Sequence, residues 1–238
     1  MPFRPYHNFG NRVWLEQLVT RLHNGGNITS DAYENFNRYH PAMIHKLRSA
    51  KYNLESLIEK LTTANFQDVA NSAGDFMFEV NMYIDGFFYN AGSAMDILAR
   101  VVLTLFGEQL TGQIYFQTAH SKISESRPGD TILPRLSKPT WHQSFSDYRN
   151  TLTHELILAS QCQITLDMTS VSQPNSIVFP LPDDPRAIPS GRTYKRNPDV
   201  RKYVSDHFRR VLSLVNQVYG DIADRGTTAG SLPIPIPI

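Results

Sequence analysis

Arginine, asparagine and histidine fall together in one short run, Tyr148-Arg149-Asn150-Thr151-Leu152-Thr153-His154-Glu155. Arginine is a permanent cation whose planar fork matches phosphate oxygens. Histidine gives and takes protons near neutrality. On the first turns of a helix these groups form a compact set for work on a phosphodiester. The arginine would hold the phosphate and the imidazole would move the proton. The ordinary alternative is a surface arginine paired with an acid and a histidine that caps a helix or sits in an interface.

A second polar set lies on an apolar background. Residues 76 to 106 are apolar on most sides, which predicts the buried middle of the fold. At about 100° per residue, Asn81, Asp85, Gly92, Ser93, Asp96 and Arg100 share one sector. Polar groups on a buried helix must be hydrogen-bonded, paired or open to a cleft. One reading is an intrahelical Asp96–Arg100 pair. The other is that Asp85, Ser93 and Asp96 line a site.

Other chemistries find little support. His40 and His45 straddle Pro41, and His142 and His154 come without an HExxH or carboxylate pattern, so no metal set is expected. Asn24-Gly25-Gly26-Asn27 lacks the Lys-Ser/Thr of a phosphate loop. Ser144 and Ser146 lack a Gly-x-Ser-x-Gly setting. The single cysteine, Cys162, excludes an internal disulfide and a cysteine zinc site, and fits a cytoplasmic setting. No cofactor is expected.

The elements that must position these residues follow from periodicity. A short helix is predicted over 11 to 23, stopped by the Gly25-Gly26 pair. Ser30 or Asp31 caps a long helix to about 64, with Pro41 as a kink point. A second long helix spans about 68 to 109, and a short one 113 to 120 before the Arg127-Pro128-Gly129-Asp130 turn. The motif helix covers about 140 to 158, with Phe145, Tyr148, Leu152 and Leu156 as its core stripe. His154, Asn150, Ile157 and Leu158 make a second, semi-apolar face, which predicts a partner, most simply a second copy of the chain. Segments 163–168 and 176–179 flank Gln173-Pro174-Asn175 as a β-hairpin. A last helix covers about 198 to 223. The expected fold is all-α: a single domain, a four-helix up-and-down bundle over 31–225 with short extra helices and a β-hairpin near 163–179. Residues 1–30 form an N-terminal extension and 226–238 a flexible Pro-Ile tail.

Composition sets limits. The chain has 238 residues, 41% hydrophobic and 19% charged, enough for a substantial core. A formal net charge of +1 gives no general attraction for nucleic acid, so any RNA contact must be local. Arg192, Lys195, Arg196, Arg201, Lys202, Arg209 and Arg210 are either a solvated face or that local source. The N-terminal residues lack a signal-peptide core, and Glu79, Asp85, Asp96 and Arg100 argue against a membrane span.

The run Arg149-Asn150-Thr151-Leu152-Thr153-His154 resembles the Arg-x4–6-His signature of the HEPN superfamily (higher eukaryotes and prokaryotes nucleotide-binding). Phe87-Phe88-Tyr89-Asn90-Ala91-Gly92-Ser93-Ala94-Met95-Asp96 is similar to the preceding helix of some HEPN branches, where small residues and an acid face the motif. The resemblance covers about 31 to 223; the first thirty residues, the hairpin and the Pro-Ile tail depart from it. It implies a metal-independent endoribonuclease that dimerises and places two Arg/His pairs in one cleft. His154 would be general base or acid, Arg149 would hold the phosphate, and Asn150 would orient the phosphate or the histidine. Asp96 would set the Arg149 rotamer or the His154 tautomer. Many members of the superfamily serve as toxins or in defence and stress response, some with an antitoxin partner. Others are inactive and bind only a nucleotide or a protein.

Overall fold

The computed structural model describes residues 10–64, 69, 71–137, 140–154, 163–165, 176–196 and 199–234. These are mostly helical. The helices are α1 Gly10–Asn24, α2 Ser30–Thr63, α3 Ala73–Phe106, α4 Phe116–Ser126, α5 Leu133–Leu136, α6 Thr140–His154 and α7 Val200–Ala229. Strands β1 Gln163–Thr165 and β2 Ser176–Val178 pair antiparallel, with Ile164 opposite Ile177. Leu156, Ile157, Leu158, Cys162 and the expected hairpin turn at 173–175 lie outside the described residues.

The chain sorts into two compact units. The first comprises Met1–Lys46, Ser93–Pro139 and Arg209–Ile238; the second comprises Leu47–Gly92 and Thr140–Phe208. The expected single domain therefore has internal divisions, and α2, α3 and α7 each contribute to both units.

In the first unit, α1 ends as its glycines predict. Gly26 adopts a positive φ of 70°, and the N–H groups of Gly26 and Asn27 return to the carbonyls of His23 and Leu22. Thr29 then caps α2 by accepting the Ala32 N–H at 3.3 Å, one residue before the expected cap. Leu15, Leu18, Phe36, Met43, Val101, Phe106, Val215 and Ile222 are among its core residues. Asn11 donates through Nδ2 to the Asn216 carbonyl at 2.8 Å, beside Gly220, where a Cβ would meet that nitrogen at 2.5 Å.

Of the segment expected as a flexible Pro-Ile tail, 226–238, residues 226–234 are described, and they are bonded within this unit. Helix α7 runs to Ala229, beyond the expected boundaries, because Gly226 lets the side chains of Leu18 and Leu232 approach its backbone. Leu232 exchanges hydrogen bonds with Asn27 and Thr29. The Ile234 N–H reaches the Leu105 carbonyl at 2.9 Å, and buried Arg127 donates to the carbonyls of Phe106 and Ile234 at 2.8 and 2.6 Å. Leu232 and Ile234 are buried, so apolar side chains alternate with proline and seal the segment down.

The second unit is organised by aromatic rings. Phe88 lies against Phe145, Tyr148 and Tyr203. Tyr203 stacks on His207, and Trp141 meets the same imidazole edge-on. Gly86 admits Asn53 of α2 so closely that a Cβ there would fall 2.3 Å from Asn53 Oδ1. Lys60 pairs with Glu79 at 2.6 Å and lies over the Phe76 ring.

Candidate functional site

Helix α6 is held in the second unit by Phe145 and Tyr148, both essentially inaccessible, and by the Tyr148 hydroxyl, which donates to the Pro182 carbonyl. Thr151 is also buried, whereas Leu152 is only half-buried. The inward face is thus centred on 145, 148 and 151, a slight rotation from the expected stripe. This phase leaves Arg149 half-buried and Asn150 exposed. His154 is the last position of α6; its side chain, and all of Glu155, lie outside the described residues.

Arg149 is seated on Gly92 of α3. A Cβ at position 92 would fall 2.5 Å from Arg149 Cδ, 2.6 Å from Nε and 3.0 Å from Cζ. The missing side chain is what gives the arginine its place. Two of the residues singled out in the sequence, one in each polar set, therefore touch. Packing of α3 against α6 through Phe88, Phe145 and Tyr148 brings them together.

The other members of the polar row behave individually. Asn81 is buried and donates to the Met77 carbonyl at 2.8 Å, a local helical bond. Asp85 keeps an exposed surface, yet the protein packed around its carboxyl raises it to about 6 by desolvation. Ser93 is half-buried. Asp96 accepts the Phe116 N–H at 3.0 Å, placing a carboxylate at the start of α4. Helix α4 begins at residue 116, later than expected. Arg100 lies over the Tyr39 ring, 5.6 Å from its centroid.

The basic region is less basic than it reads. Arg192 is buried and donates to the Ala187 carbonyl at 3.1 Å, so it leaves the expected solvated face. Arg201 is paired with Asp199 at 2.8 Å, and Lys202 with Asp206 at 3.3 Å. Lys195 and Arg196 are exposed, but their N–H groups and the Thr193 hydroxyl bind Asp183. Burial pushes the Asp183 carboxyl up; these donors together outweigh it and hold the group below its ordinary value. This acid-centred loop had no signal in the sequence beyond an aspartate upstream of a basic run.

Among the described residues, no group of three or more His, Cys, Asp or Glu side chains could hold a metal ion. No helix among them is long and apolar enough to cross a membrane. Comparison with known proteins returns nothing: no family model, no curated protein and no solved structure matches the chain.

Proposed function

We propose that the chain is a metal-independent endoribonuclease of the HEPN type, a four-helix bundle that works as a homodimer in the cytoplasm. The observation that carries this reading is the seating of Arg149 on Gly92, which positions the motif's cation on a helix that also bears Asn150 and His154. In this reading a ribose 2′-OH attacks the adjacent phosphorus. The bond from phosphorus to the 5′-oxygen breaks, and that oxygen leaves with a proton. His154 supplies general base or acid help, Arg149 neutralises charge on the phosphoryl oxygens, and Asn150 orients the phosphate. Of the α3 acids, Asp85 lies in the same unit as Arg149 and is the supporting carboxylate in this reading. A toxin, defence or stress-response role, with an antitoxin as protein partner, suits such an activity.

The test is incubation of pure protein with RNA in excess EDTA. Cleavage should persist and leave a 2′,3′-cyclic phosphate and a 5′-hydroxyl. His154→Ala should lower the rate by about 10²–10⁴-fold, and Arg149→Ala by about 10²–10³-fold. Activity unchanged in both variants sinks the assignment. One observation favours a second reading, a catalytically silent module that binds a nucleotide or a protein. The pairing of Arg201 and Lys202 with acids leaves fewer cations to track an RNA backbone. Absence of cleavage on any RNA, with specific capture of a nucleotide, would select it.

A further inference from the structure

Within the second unit, Asp75, Phe78, Met82, Asp85 and Tyr89 of α3 are all exposed. Their spacing alternates between three and four, which keeps them in a sector of about 80° along about 21 Å of helix. Phe78, Met82 and Tyr89 are 68%, 48% and 52% exposed. Apolar residues exposed singly are ordinary, but three on one helical stripe make a patch of the kind that a partner covers. Alternating three and four is also the seam on which another helix packs, at an angle of about 20°. The charges on the seam decide which helix. Among the described residues, neither Asp75 nor Asp85 has an ion-pair partner. Lys60, the cation that α2 brings to α3, is taken by Glu79 at 2.6 Å. Desolvation raises the Asp85 carboxyl to about 6, so it stands partly stripped of water and gains from a cation. The seam therefore offers two acids and no cation. A second copy of it would bring more carboxylates with nothing to answer them. RNA and an anionic membrane are repelled for the same reason.

We propose that this seam docks an amphipathic α-helix of a partner protein, apolar where it meets Phe78, Met82 and Tyr89 and bearing lysine or arginine where it meets Asp75 and Asp85. Apolar contacts supply the area, and the two charge pairs fix register and reject other partners. The next position of the seam is Gly92, the seat of Arg149. A helix that runs one turn past Tyr89 reaches that arginine. On the ribonuclease reading, on which this part of the inference rests, docking closes the site to RNA, and the seam is its regulatory surface.

The experiment is calorimetric titration of the full chain with two capped, alanine-rich helical peptides of about 18 residues, long enough to span the seam. The pH is kept well above 6, where both carboxylates are ionised. One peptide carries the seam Lys-x2-Leu-x3-Leu-x2-Lys-x3-Leu and the other its reverse, for the two directions in which a helix lies on α3. Versions with glutamate for lysine are controls. Saturable binding of one lysine peptide is expected, with the glutamate versions silent. Phe78→Ser and Met82→Ser together should weaken it about tenfold or more, the loss of two apolar contacts. The unfolding temperature should hold, because both side chains are exposed. Asp85→Asn should weaken binding severalfold. No saturable binding of either lysine peptide, equal binding of a glutamate version, or undiminished affinity in the double variant overturns the proposal. A double variant that instead converts a dimer to a monomer in light scattering assigns the seam to a second copy, which also overturns it. In the RNA cleavage assay, the lysine peptide should inhibit the native chain and spare the double variant, whose basal cleavage is unchanged. Binding is read without RNA, so absent cleavage counts against the ribonuclease reading alone, and saturable binding with undiminished cleavage removes the regulatory role alone.

Discussion

Gly92 and Arg149 form a contact whose energetics can be separated from ordinary helix propensity. Alanine in place of a mid-helix glycine stabilises a helix by about 1 kcal/mol when nothing opposes it. At position 92 the arginine opposes it, since the new methyl would overlap Cδ and Nε. Gly92→Ala should therefore give little or no gain in the native background and the full gain beside Arg149→Ala. Urea denaturation of the four variants should return a coupling of about 0.5–3 kcal/mol; strictly additive effects would mean that the arginine moves aside without loss. Asp85 gives a second test at this scale. Its carboxyl is raised to about 6 from an ordinary 3.8, so the folded state holds its proton more tightly than the unfolded chain. Its contribution is fully favourable below about 3.8 and is lost as pH rises through 6. Asp85→Asn should then raise the unfolding temperature at pH 7, with the difference shrinking toward pH 4; a constant difference across that range would contradict the desolvated carboxyl. Both residues were legible as a polar row on an apolar helix. That Gly92 is a seat for Arg149 was not legible, because periodicity assigns faces and says nothing of which partner fills the gap left by a missing side chain.

Helix α1 shows how an element outside the expected bundle is tied in. Its Glu16 accepts from Arg12 at 2.8 Å and from His40 Nε2 at 2.6 Å. A carboxylate only accepts, so neutral His40 carries its proton on Nε2, and Nδ1 receives the Tyr219 hydroxyl at 2.9 Å. Burial holds the His40 pKa below its ordinary 6.5, with the Glu16 contact opposing. Burial pushes Glu16 up, but its bonds to Arg12 and His40 carry it below 4.5. Above pH 6.5 neither folded nor unfolded His40 is protonated; below it, the unfolded chain takes the proton first, and stability falls. The Glu16 contribution, present above 4.5, is lost next as pH falls through its lowered value. Unfolding free energy should thus decline on acidification from about pH 6.5. His40→Gln, which can keep both hydrogen bonds without titrating, should flatten that first decline; an unchanged slope would place its origin elsewhere. The helices themselves were largely legible, because apolar residues at helical spacing mark α1, α2, α3 and α6. Their ends were less so. Thr29, Ser30 and Asp31 are all competent caps, and only packing selects the first. The last helix was expected to end near 223, yet it continues through Gly226, which Leu18 and Leu232 approach closely.

For the molecule as a whole, the proposed activity requires two motif helices to share a cleft, so association is its most direct physical requirement. Light scattering at micromolar concentration should give twice the mass of the 238-residue chain, and Asn150→Asp, which adds a like charge to an exposed position of α6, should weaken the pair. A monomeric mass at all concentrations would remove the two-copy site. The docking of residues 232 and 234 on residues 27–29 and 105 has a different consequence, one of timing. Those hydrogen bonds join positions more than a hundred residues apart in sequence. Closing such loops is slow compared with forming helices. On the ribosome, α1 and the first half of α2 emerge long before their partners in α7 and beyond. The first unit can therefore finish folding only after residue 234 has left the exit tunnel. A nascent chain halted before that point should carry helices but remain open to protease, whatever chemistry the Arg149 helix performs.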